Sequence, residues 1–335
     1  MKKTLRHLRL LALIASFALF FYVLKRSGPA AVLNNIRLLG WGFVILIVLS
    51  GVRQVLRSVA WSYCFQTDGP RPAPLELFGP RLVGEALDDL TPAGPLLGQS
   101  AKLLVVSRRM PAEVSASSVV IENLVYALAA VLFMLSGLLI ASLKLATAHG
   151  FRWICGDLVT CFLVSIAAAW WIVSRRIMLL GRGLDYLKRA GLGRGFIERH
   201  EHYLRAVEHA TYTFFLTHRR IFFLVLGIEI ATNFTGVCEA YLVLKVTAAH
   251  ASVFVAYLVE SANRAVQLVF SFVPFGLGIQ EGVAASTLQA LGYAGSAGVS
   301  LAIIRKIRIV FWAALGLLLA AKYSMARPAR EEKTI

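Results

Sequence analysis

Six stretches of this chain are apolar over lengths that approach or exceed a bilayer crossing: residues 10–24, 38–65, 112–145, 154–173, 221–246 and 297–322. About twenty residues of α-helix, rising about 1.5 Å each, span the roughly 30 Å of hydrocarbon in a membrane. The expected fold class is therefore an all-α, polytopic integral membrane protein with about six transmembrane helices. The run at 10–24 follows a basic start and is followed at once by Lys25 and Arg26 without a clear cleavage site, so it reads as a retained anchor. Composition agrees. Of 335 residues, 58% are hydrophobic and 16% charged, against about 25% charged in a soluble domain. That excludes a soluble globule, a disordered chain and a coiled coil.

The net charge of +17 raises nucleic acid as a partner, and the placement of the cations argues against it. With the N-terminus inside, 23 of the 35 Lys and Arg residues fall on cytoplasmic segments and 7 on the opposite side. The other five, Arg53, Arg57, Arg305, Lys306 and Arg308, lie within apolar stretches. This asymmetry obeys the positive-inside rule and expects both termini on the cytoplasmic side of the cell's inner membrane. Cys64, Cys155, Cys161 and Cys238 are widely spaced, without a Cys-x-x-Cys pair, and read as small buried hydrophobes.

Two regions are too interrupted for simple spans. In the first, residues 74–110, the run from Gly84 and Glu85 through Asp88 and Asp89 reaches Thr91-Pro92-Ala93-Gly94-Pro95 and continues to Gly98, Gln99 and Lys102. In the second, residues 250–291, Glu260, Asn263 and Arg264 precede Pro274-Phe275-Gly276-Leu277-Gly278-Ile279-Gln280-Glu281-Gly282. Each has a proline, then glycines, then Gln99 or Glu281 seven residues after the proline. An apolar helix follows in both cases. The first region starts and ends on the cytoplasmic side and the second on the outer side, as an inverted repeat would require.

The domain organisation expected is one transmembrane domain over 1–335. Half 1 is 38–173 with a re-entrant segment at 74–110, a basic cytoplasmic loop occupies 174–220, and half 2 is 221–322 with a re-entrant segment at 250–291. Irregular backbone at membrane depth must be packed in protein or line a wet cavity. Paired interrupted helices of this kind point to a transporter site whose half-helix N-termini face an anion. The alternative for each is a structural kink or an amphipathic surface helix.

Ionisable groups inside spans are the second signal, since each costs roughly 2.5–3.5 kcal/mol at mid-bilayer if left facing lipid. Arg57 and Arg308 are expected to snorkel to an interface. Glu122 or Glu229 is expected to pair with Arg305 or Lys306, and Arg53 to take part in the same groove. Structural pairing and ligand contact are equal alternatives for any one of them. The Gly191-Leu192-Gly193-Arg194-Gly195 run lacks dinucleotide-binding context, and His200, His202 and His209 with Glu198 and Glu201 lack metal-ligand spacing. No catalytic triad, metal or cofactor is expected. Asp88 and Asp89 beside Glu85 read as helix-terminal groups, with a diphosphate-binding acidic cluster as the weaker alternative.

At the two broken segments the chain resembles the flippase-like family typified by the transmembrane region of lysylphosphatidylglycerol synthase. The run from Pro274 to Gly282, followed by Leu291-Gly292, is the more specific match, and Leu90 to Gly94 with Gly98 to Lys102 the looser one. The resemblance covers roughly residues 38–322. It implies a polytopic helical fold with two re-entrant elements and movement of a phospholipid or lipid-linked headgroup between leaflets. It also implies an acidic residue near Gln99, from which Leu97-Gly98-Gln99 departs. The synthase carries a large cytosolic aminoacyl-transferase domain, whereas this chain runs only about a dozen residues past its last span, so lipid synthesis is not expected.

The leading expectation is a lipid translocator that works by alternating access. Its partners would be membrane lipids, with an anionic phospholipid headgroup held by Pro92, Gly94, Gly98, Gln99, Lys102, Pro274, Gly276, Gly278, Glu281, Gly282, Arg305 and Lys306. Glu281 and Glu122 would close the groove by exchanging ion-pair partners. Two other classes remain. One is an accessory subunit that docks a partner enzyme through the basic loop at the cytoplasmic face. The other is a lipid-modifying membrane enzyme using Glu85, Asp88, Asp89 or Glu281.

Overall fold

The computed structural model of the chain describes residues 37, 39–67, 69–91, 94–144, 194–248, 251–270 and 279–325, with isolated positions 160, 163, 164, 167, 171, 175 and 186. Among these residues there are nine helices and no strand. They are α1 (Trp41–Tyr63), α2 (Pro74–Leu90), α3 (Gly94–Val106), α4 (Ala112–Lys144), α5 (Arg194–Thr217), α6 (Arg219–Thr247), α7 (Val253–Val269), α8 (Ile279–Ala290) and α9 (Gly295–Met325). Trp41–Tyr63, Ala112–Ser142 and Arg219–Thr247 are long and apolar enough to cross a membrane. The chain is an all-α, multi-pass membrane protein. The expected spans at 10–24 and 154–173 lie outside the described residues apart from single positions.

Helix ends follow local chemistry. At the start of α2, Pro74 occupies the first turn, where its missing N–H costs nothing. There the Ala73 carbonyl accepts from Glu76 N (2.9 Å), and the Glu76 side chain accepts from Ala73 N (3.2 Å). The reciprocal pair satisfies two donors that the helix itself leaves open. Ser252 caps α7 by accepting from Val255 N (3.3 Å). Between α8 and α9 the chain turns at Gly292, whose φ of +82° a side chain would disfavour.

Each expected broken region is a pair of helices. The first divides between α2 and α3, where Thr91 Oγ1 donates to the Leu87 carbonyl (2.8 Å) and Gly94 N to the Thr91 carbonyl (2.9 Å). The second divides between α7 and α8. By contrast, α4 runs unbroken for 33 residues, about 50 Å at helical rise, so it must tilt or project beyond the hydrocarbon. The basic loop is helical from Arg194 to Thr217, and this α5 packs on α4.

The chain forms two compact units that interleave in sequence. The first takes the described residues up to Val55, then Phe78–Arg108, then those from Thr232 onward; the second takes Leu56–Leu77 and Arg109–Ala231. In the first, both broken pairs are gathered with α9. Ala86, Leu90, Ala313 and Leu317 form a core there, joining α2 to α9. Small residues let backbones touch: a Cβ on Gly316 would stand 2.8 Å from Ala86 Cβ, and one on Gly84 would stand 2.9 Å from the Gly98 carbonyl oxygen. In the second unit, Trp61 donates from Nε1 to Ser118 Oγ (3.2 Å) and Gln66 from Nε2 to the Ala210 carbonyl (2.7 Å).

Of the cysteines, Cys64 is buried and Cys238 is exposed, which corrects the expectation that all are interior. Cys238 lies on an apolar helix whose outer face is lipid-compatible. Cys155 and Cys161 lie outside the described residues.

Candidate functional site: a charged interior pocket

Charge inside the first unit is concentrated on α9, which carries Arg305, Lys306 and Arg308 within one turn, all buried. Each is bound to a different helix. Arg305 Nη2 donates to Glu260 on α7, Lys306 to Glu281 on α8, and Arg308 Nη1 to both carboxylate oxygens of Glu239 on α6 (2.7 Å each). Glu260 is 2% exposed and also accepts from Arg264 Nε (3.0 Å), one helical turn along α7. Arg305 Nη2 further reaches the Gly236 carbonyl (3.4 Å). On the other side, α1 supplies Arg53, paired with Glu85 of α2 at 3.4 Å. Gln54 donates to the same Glu85 and accepts from Arg81 Nε (3.3 Å).

These groups surround a small pocket lined by Arg53, Glu239, Glu260, Arg264, Arg305 and Arg308 with three amide side chains and Ile309. It has room for about one water. Nine of its ten lining residues are polar or charged, and four guanidinium groups face two carboxylates. Such an interior is costly in a membrane protein unless each charge is paired and hydrogen-bonded.

The second unit holds a cluster of opposite balance. Glu122 on α4 and Glu229 on α6, both 0% exposed, share Arg57 of α1 at 3.0 and 3.6 Å. The guanidinium lies over the Tyr126 ring, 3.9 Å from its centroid, a cation–π contact that stabilises it away from water.

Several expectations are corrected by these pairings. Glu122 and Glu229 pair with Arg57, while Arg305 pairs with Glu260 and Lys306 with Glu281. Arg57 and Arg308 are anchored by carboxylates instead of snorkelling to an interface. Arg264 is buried in α7.

Of the expected headgroup ligands among the described residues, only Arg305 lines the pocket. Gly94, Gly98 and Lys102 are buried and Gln99 half-buried where α2 meets α3. A Cβ on Gly84 would stand 2.6 Å from Lys102 Cγ, so that lysine lies against α2. Glu281 and Lys306 form a pair beside the pocket, and Gly282 is exposed with open space around it. Pro92, Pro274, Gly276 and Gly278 lie outside the described residues.

The polar lining residues that lie outside the expected site are Glu239, Glu260, Asn263, Arg264, Gln267, Gln280 and Arg308. One signal for them was present: Glu260, Asn263, Arg264 and Gln267 recur at three- and four-residue spacing, which puts one polar stripe on an otherwise apolar helix.

Apolar helices long enough to span a bilayer, with a charged interior held among them, define a polytopic membrane protein built to keep a polar site away from lipid. The chain belongs to the lysylphosphatidylglycerol synthase TM region family, whose model matches residues 9–316. It has no significant match among curated proteins or solved structures.

Proposed function

We propose that this protein translocates an anionic phospholipid, or a lipid-linked anionic headgroup, between the leaflets of the cell's inner membrane by alternating access. The observation that carries the reading is the pocket of the first unit, where four guanidinium groups face two carboxylates inside an apolar helical body. A phosphate headgroup would exchange its water for planar, fixed donors that match it in geometry and charge. The acyl chains would stay in hydrocarbon, avoiding the cost of exposing them to water. Family membership supports a role in lipid modification or transport. The two helix pairs α2–α3 and α7–α8 support re-entrant elements related as an inverted repeat, and the cation asymmetry supports cytoplasmic termini.

Reconstitution tests this. The purified chain in vesicles containing a head-labelled anionic phospholipid should speed its appearance in the opposite leaflet, and a neutral lipid should move less. No acceleration for any anionic lipid, beside a working scramblase control, defeats the proposal. A covalently altered headgroup in the recovered lipid would point to the enzymatic class instead.

A further inference from the structure

The pocket carries more positive charge than its carboxylates cover, yet it holds no space for a phosphate. Arg308 is matched by Glu239 and Arg53 by Glu85, whereas Arg264 and Arg305 divide Glu260 between them. The Glu260 carboxylate already makes the contacts that an external oxyanion would make: one oxygen accepts from Arg264 Nε and the other from Arg305 Nη2. It reaches that position because residue 236 has no side chain. A Cβ on Gly236 would stand 2.8 Å from Glu260 Cδ, closer than packing allows.

Resting on the reading that this pocket receives an anionic headgroup, we propose that Glu260 is an internal substitute for the ligand's phosphate. Two phosphoryl oxygens replace the two carboxylate oxygens on Arg264 and Arg305, and Glu260 swings aside toward Asn263 and Gln280, whose amides line the same pocket. The exchange leaves Arg264 and Arg305 facing an anion whether the pocket is empty or filled, which avoids a bare pair of buried guanidiniums. It also weakens net affinity, because every binding event must displace a good internal ligand. A carrier that must release its cargo needs that weakness.

Titration of the purified full-length chain in detergent tests the exchange, with inorganic phosphate and short-chain phosphatidylglycerol as separate probes. Glu260→Gln removes the competing charge at constant volume. Gly236→Ala keeps the charge but pushes the carboxylate off its position, and it decides the matter if the first variant does not fold. Both should bind anion about tenfold more tightly than the parent chain, the scale of one charge-assisted hydrogen bond freed from its internal partner. A gain for phosphatidylglycerol alone identifies a lipid headgroup as the ligand, and an equal gain for both probes a phosphate site indifferent to its source. Folded variants whose affinity is unchanged or weaker overturn the substitution, while the pocket reading survives if the parent chain binds. Absence of binding by the parent and both variants removes the pocket reading and this inference with it.

Discussion

Two buried charge clusters in this protein solve the same electrostatic problem with opposite stoichiometry. In the first unit, two arginines, Arg264 and Arg305, share the one carboxylate of Glu260. In the second, two carboxylates, Glu122 and Glu229, share the one guanidinium of Arg57. The first cluster borders a pocket with an excess of cations. The second is closed over by an aromatic ring and excludes water from both carboxylates. Burial and pairing alone therefore do not mark a site. What distinguishes the first is a pocket beside the pair, lined by more cations than carboxylates.

The largest effect should come from Arg57→Met. It leaves two buried carboxylates without their shared cation, a loss of about 3–5 kcal/mol, measurable as a large fall in the thermal unfolding midpoint in detergent. Arg305→Met should cost less stability, about 1–3 kcal/mol, because Arg264 still covers Glu260. Lipid movement by Arg305→Met should nevertheless fall further than that of any folded Arg57 variant. If folded Arg57 variants lose transport as completely as Arg305 variants, the distinction between structural and functional cluster breaks down.

Gly84→Ala inserts a methyl 2.9 Å from the Gly98 carbonyl oxygen and from Lys102 Cε. It should destabilise the α2–α3 pair by about 1–3 kcal/mol, seen as faster proteolysis between those helices. Trp61→Phe removes the hydrogen bond to Ser118 and should lower stability by about 1 kcal/mol. Gly282→Ala should leave both stability and transport within about 1 kcal/mol of the parent, since open space surrounds that position and alanine favours helix. A transport defect there would mean that Gly282 meets the cargo.

Among the described residues, hydropathy locates long helices, because lipid imposes a length and a composition that show directly in sequence: the span expected at 112–145 is α4 at Ala112–Lys144, and that at 221–246 is α6 at Arg219–Thr247. The proline and glycine signals likewise marked the divisions between α2 and α3 and between α7 and α8. Pairing was not legible. Sequence points to Glu122 and Glu229, on continuous spans, as the anions for Arg305 and Lys306. The structure draws them from the broken segments instead, where Glu260 and Glu281 serve α9 and Glu85 serves Arg53 of α1. Spacing along one helix shows which face a residue occupies, but it says nothing about which other helix comes to meet that face.

Three cations within one turn of α9, fastened to α7, α8 and α6, have a mechanical consequence. Rotation or sliding of α9 by itself would strand three ions in oil at once, so partial motion is the most expensive path open to it. The four helices must travel together as a block or let go together, which makes any conformational cycle in this unit a step with few intermediate stops.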